Sequence, residues 1–402
     1  MQPLPLASTA AATASSPRGW PLLRLGFRPF YLGAAAFAVL AIPLWVAVFL
    51  GYLPWPAPVA PLLWHAHEML FGFALAVIVG FLLTAGKAWT GLDTPRGIWL
   101  GALFLVWLAA RVAALTGPSI LYAALDVVLL PLVAVALAVV LLRGGSRRNL
   151  VLPVILLLLA LCNLDFHLTA MGLIAGSPLR ALHASLALVV MIECVIAGRV
   201  LPAFTTNATP GLKLRASATL DRAALIVTAL ALALWVFEPL PAFTGLTAFA
   251  LALAAVLHVA RQWQWKPWVA RGRPILWILH VAYGWLAIGF ALLALAQIGW
   301  IGSSAGLHAL AIGATAGLII GMITRTARGH TGRPLRASKA EALAYALVML
   351  AAVLRVGAAL ISPLWLADLM LAAAIPWSAA FAIYLAIYAP WLATTRLDGR
   401  DG

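Results

Sequence analysis

Twelve tracts of mostly apolar residues run through the chain, and they leave it little choice of environment. A membrane-spanning helix needs about 20 such residues. The tracts fall at about 30–52, 64–86, 97–116, 119–142, 150–173, 180–201, 222–238, 240–260, 275–298, 306–324, 340–361 and 364–388. Side chains that are 65% hydrophobic and only 9% charged exclude a soluble domain. The expectation is an all-α polytopic membrane bundle of about 12 transmembrane helices. Its seventh and eighth helices almost touch at Pro239 and Pro241.

A net charge of +15 raises the question of nucleic acid, and the placement of the cations answers it. All but three of the 26 Lys and Arg residues fall on one side of the predicted spans; the exceptions are Arg180 in an opposite loop and Arg111 and Arg355 within spans. The positive-inside rule then puts both termini in the cytoplasm, with an even number of helices. The basicity is topology, and no nucleic-acid partner is expected. Residues 1–19 lack a basic start and an apolar run, which predicts no cleaved signal peptide and a disordered cytoplasmic tail over residues 1–24. One membrane domain is expected over 25–392, with a cytoplasmic tail over 393–402. Cys162 and Cys194 lie within spans and read as small buried side chains.

Histidine is the informative residue. His65 and His67, His183, and His308 stand at the outer ends of three spans, and the intervals from 67 to 183 and from 183 to 308 are nearly equal. This suggests a four-helix unit used three times. With His167, five of the eight histidines gather in the outer half of the membrane, whereas His258, His280 and His330 lie toward the cytoplasm. Neutral imidazole is a common ligand for haem iron and copper, and ionisable groups in lipid are costly and usually functional. His67 and His308 hold equivalent places in the first and third units, which makes them the best pair for opposite faces of one haem. His65 stands beside them but points about 200° from His67 on a helix, and which of the two faces inward is open. His183 and His167, joined by a short outer loop, are candidates for a copper-type site. Asp165, Glu68 and Glu193 are candidates for second ligand-sphere or proton-relay roles, with structural roles equally open.

The repeat has a second mark. Arg111 and Asp126 lie at similar depths in the third and fourth spans, and Arg355 and Asp368 in the eleventh and twelfth. Two ion pairs across outer hairpins are expected, and none in the seventh and eighth spans. Gly313, Gly317 and Gly321 at four-residue steps predict close helix packing. The basic segment 324–334, with Arg325 and His330, reads first as an inner topology signal and second as an anion-binding loop.

The segments WHAHEMLFGFALAVIVGFLLTAGKAWTG (64–91), LGFRPFYL (25–32) and HALAIGATAGLIIGMITRTARGHTGRPL (308–335) together resemble the NnrS family of bacterial inner-membrane proteins. That resemblance implies a twelve-helix protein of the bacterial inner membrane, with haem and copper as cofactors, linked to denitrification and to the nitric oxide and nitrosative-stress response. Nitric oxide is the implied small-molecule ligand and the lipid bilayer the surroundings. The family's motif histidines fall here on His65, His67, His308 and His330, and less firmly on His183. A more distant likeness is to the catalytic subunit of haem-copper oxidases, with haem-ligating histidines on helices two and ten; the histidine patterns of oxidase helices six and seven are absent here.

Two rival classes remain at this level. One is a secondary transporter or metal exporter with a midmembrane polar site, suggested by the repeat and the charges within helices. The other is a membrane scaffold in which the histidines are structural.

Overall fold

A computed structural model describes residues 19–400, apart from 56, 215, 238–240 and 362. It contains twelve helices long and apolar enough to cross a membrane: α1 (Phe27–Phe49), α2 (Pro61–Thr90), α3 (Ile98–Thr116), α4 (Ser119–Arg143), α5 (Arg147–Ala170), α6 (Pro178–Ala208), α7 (Ala218–Phe237), α8 (Thr244–Gln264), α9 (Pro274–Gln297), α10 (Ser303–His330), α11 (Lys339–Leu360) and α12 (Leu366–Leu392). No strand occurs among the described residues. The protein is an all-helical, multi-pass membrane protein. The break between α7 and α8 holds, with a short 3₁₀ turn at Pro241–Phe243.

Consecutive helices pack side by side, and α1 packs on α12, so the bundle closes on itself. Arg28 of α1 donates from Nη1 to the carbonyl oxygens of Leu392 (2.7 Å) and Thr394 (2.8 Å). Both ends of the described chain therefore share one end of the bundle. Even-numbered helices start at the opposite end, which is where His65, His183 and His308 fall. The second helix of each four-helix block turns inward: α6 touches both α2 and α10, and α2 and α10 are the most enclosed, with 89% and 72% of their apolar windows buried.

These two helices share a further irregularity. In α2 an α-helical start, Pro61–His67, passes into a π-helical stretch, Glu68–Ala74. In α10 the start Ser303–His308 passes into a π-helical stretch, Ala309–Ala316. Each π stretch begins at the residue after a histidine. Such wide turns gather at functional sites because they re-aim the side chains around them. The glycine row of α10 acts as expected: a Cβ at Gly313 would sit 2.4 Å from Trp285, and one at Gly317 2.7 Å from Ala282, so only hydrogen lets α10 lie this close to α9.

Three boundaries differ from expectation. Residues 1–18 of the expected tail lie outside the described residues, but 19–24 are folded. Pro21–Leu23 form a 3₁₀ turn whose Leu23 carbonyl accepts from the Gly97 amide at 2.7 Å. Segment 324–330 is not loop but the last turns of α10. The middle unit does hold an ion pair: α7 and α8 extend further toward the terminal side than hydropathy suggests, bringing Asp221 and Arg261 within them, 2.8 Å apart.

Candidate functional site

The two histidines near the start of α2 serve different places. His67 is fully buried. Its Nδ1 lies 2.8 Å from the Tyr122 hydroxyl and 3.2 Å from Glu68 Oε1; its Nε2 lies 2.8 Å from Asn163 Oδ1 and 3.1 Å from Asp126 Oδ2. Both ring nitrogens thus already face partners. Asp126 also meets His167 Nε2 at 3.1 Å and accepts from Asn163 Nδ2 at 2.7 Å. Arg111 spans the two carboxylates, donating from Nη1 to Glu68 Oε1 at 2.6 Å and from Nη2 to Asp126 Oδ1. Tyr122 donates to Glu68 Oε1 at 2.8 Å. Helices α2, α3, α4 and α5 each supply part of this network, and its members are nearly inaccessible. One ligand atom from each of His67, Asp126 and His167 falls within a 4.8 Å group. Two imidazoles and one carboxylate at that spacing suit a borderline transition metal, and Arg111 already offsets the carboxylate charge.

His65, two positions earlier, points away from this network into an apolar cavity of about 340 Å³. It stacks flat on Trp45 of α1, with ring centroids 4.7 Å apart and planes 10° apart, and its Nδ1 is buried without a partner. His308 of α10 and His183 of α6 line the same cavity. The Nδ1 of His308 donates to the Ser304 carbonyl oxygen at 2.7 Å, which fixes the tautomer and leaves Nε2 as the nitrogen with a lone pair. His183 packs on Trp235 with ring centroids 4.7 Å apart. The remaining wall is mostly apolar, with Met69, Phe73, Ala374 and Trp377 among its residues, and Arg355 of α11 closes one side.

The expected groupings therefore change partners. His67 and His308 do not face one another; His65 shares the cavity with His308. His167 does not join His183; it joins His67 through Asp126. The cause is helical phase: residues two apart project to opposite sides, and only the tertiary placement of α2 assigns one side to the cavity. Asp165 is half-buried and its carboxylate is not the acceptor for His167, a role that Asp126 takes. Of the two expected outer ion pairs, Arg111–Asp126 forms. Arg355 and Asp368 do not pair: Asp368 is exposed, and Arg355 donates from Nη2 to Ser304 Oγ at 3.2 Å. Glu193 does not meet Arg199, which donates to Asn149. It lines a second, smaller cavity of about 80 Å³ with Tyr31 and Met322, its Oε2 unpartnered, and Thr315 of the larger cavity is its polar neighbour. Arg325 lies over the Phe204 ring at 3.8 Å and His330 packs on Phe27 at 5.4 Å, both at the terminal end of the bundle, remote from the cavity.

Sequence reading missed Tyr122 and Asn163. A signal existed: each lies four residues before Asp126 and His167 respectively, one turn away on the same helix face.

The model of the NnrS protein family matches residues 21–396 of the 402. The chain belongs to the NnrS family. The match takes in both histidine centres and all twelve helices. A comparison with curated proteins finds no match.

Proposed function

We propose that this NnrS-family protein is a haem- and copper-bearing protein of the bacterial inner membrane that binds nitric oxide or protects against it. Membership of the family supports a nitric-oxide-related membrane protein. The observation that carries the finer reading is the cavity to which α2, α6 and α10 each deliver one histidine through otherwise mostly apolar walls. A volume of about 340 Å³ lies in the range of cofactor pockets. Its donor chemistry fits haem: the imidazoles of His65 and His308, with His183 on the same wall. Copper fits the His67–Asp126–His167 group. Held by these imidazoles, haem would supply the iron chemistry by which diatomic gases are bound.

The chain's own residues then have definable tasks. Ser304 orients His308 by accepting its Nδ1 proton. Trp45 holds the His65 ring flat, and the apolar wall excludes water while remaining open to a small apolar gas dissolved in the bilayer. Glu193, which lines the smaller cavity and has Thr315 of the larger as a polar neighbour, is the group that would carry protons toward the histidines. In this reading both termini are cytoplasmic, the cavity lies in the outer half of the membrane, and residues 25–392 form one membrane domain. The family match lends no support to a transporter.

The test is a reduced-minus-oxidised visible spectrum of detergent-purified protein, with iron and copper quantified, before and after nitric oxide is added. Haem bands that shift on addition are expected. Protein that carries neither haem nor metal after expression with both available would contradict the proposal.

A further inference from the structure

Arg111 and Arg355, the two arginines predicted within spans, have opposite electrostatic situations. Arg111 is met by Glu68 and Asp126, both buried with it. Arg355 holds the matching place in the third unit, yet its side chain meets no carboxylate among the described residues. Where Glu68 follows His67 at the start of one π stretch, Ala309 follows His308 at the start of the other. Where Asp126 turns inward, Asp368 is exposed. What remains for Arg355 is the Ser304 hydroxyl on Nη2; its Nη1 is buried without any partner. A guanidinium at membrane depth without a counter-ion is costly and is normally compensated. Arg355 also lines the cavity that holds His65 and His308, and its charge acts on both.

We infer that Arg355 is an anion-receiving site, and that the occupant of the cavity brings the missing negative charge as a carboxylate or similar oxyanion set against Arg355 while its apolar body fills the rest. This rests on the cavity being a ligand site and deepens the haem reading. An acidic macrocycle would present its carboxylates to Arg355; alternatively a small free oxyanion sits there beside the cofactor. A planar guanidinium binds either in two-point fashion, which a lysine cannot copy.

The experiment uses full-length apoprotein in detergent, titrated with haemin and with haemin dimethyl ester, which has the same ring but no free acids. Binding is read from haem absorbance and tryptophan quenching, since Trp45 and Trp377 line the cavity. The wild type should prefer haemin by about tenfold, as expected for one charge-assisted contact. Arg355→Gln should lose that preference and Arg355→Lys keep part of it. Ser304→Asp should also lose it, because it supplies the internal counter-ion that Glu68 gives Arg111, and it retains Arg355 should the Gln variant misfold. If haemin and its ester bind the wild type alike, nitrite is titrated next: a nitrite response in the wild type that Arg355→Gln abolishes assigns the anion to a free oxyanion. A haemin preference kept by both Arg355→Gln and Ser304→Asp overturns the inference, as does equal binding with no nitrite response. If the wild type binds neither macrocycle, the haem reading fails by itself. Nitrite and laurate, followed by tryptophan fluorescence, then decide the anion site: binding lost in Arg355→Gln supports it, and no binding refutes it.

Discussion

His65 and His67 share one helix and differ in almost everything that matters. His67 is locked in a polar network where Tyr122, Glu68, Asn163 and Asp126 face both ring nitrogens and Arg111 balances the acids. His65 stands on the wall of a mostly apolar cavity, stacked on Trp45 and with its Nδ1 unpartnered. The first environment balances its buried charges internally; the second sets the unpartnered Nδ1 of His65 and Nη1 of Arg355 around an apolar space. On the proposed function, the two faces of α2 divide the work: one joins four helices through buried charges, and the other faces the cavity proposed to take the ligand.

The largest effect is expected at Arg111. Arg111→Ala leaves Glu68 and Asp126 buried without a cation, and a loss of about 3–5 kcal/mol is expected, read as a large drop in thermal midpoint in detergent by tryptophan fluorescence. An unchanged midpoint would mean that the polar network is not what stiffens this end of the bundle. At the other extreme, Asp368→Ala should shift stability by less than about 0.5 kcal/mol, since an exposed side chain away from any network contributes little. An effect near that of Arg111→Ala would revive the second ion pair that the structure lacks.

Much of this was readable from residues. Hydropathy located all twelve helices, because lipid imposes one length and one composition on every span. Depth matching found Arg111 and Asp126, since both ends of an outer hairpin are set by the same interface. The same reasoning failed for Arg355 and Asp368: matching depth does not give matching azimuth, and Asp368 is on the outside of α12. Helical phase said that His65 and His67 diverge, but not which would reach the cavity. The π stretches after His67 and His308 are equally invisible in sequence, and they alter the phase of everything downstream on those helices. The buried pair Arg328–Glu341 was within reach, because Ser338 and Glu341 form a capping box whose S-x-x-E pattern is local.

The division of labour between the two faces of α2 is tested most directly by the haem content of four single variants, His65→Ala, His308→Ala, His67→Ala and His167→Ala, measured by pyridine haemochrome on folded, size-selected protein. His65→Ala and His308→Ala should lose most of the haem while keeping wild-type thermal stability, and His67→Ala and His167→Ala should lose stability but retain haem in whatever fraction folds. Haem lost selectively from folded His67→Ala, with His65→Ala fully loaded, would contradict that division and place the cofactor at the polar network instead.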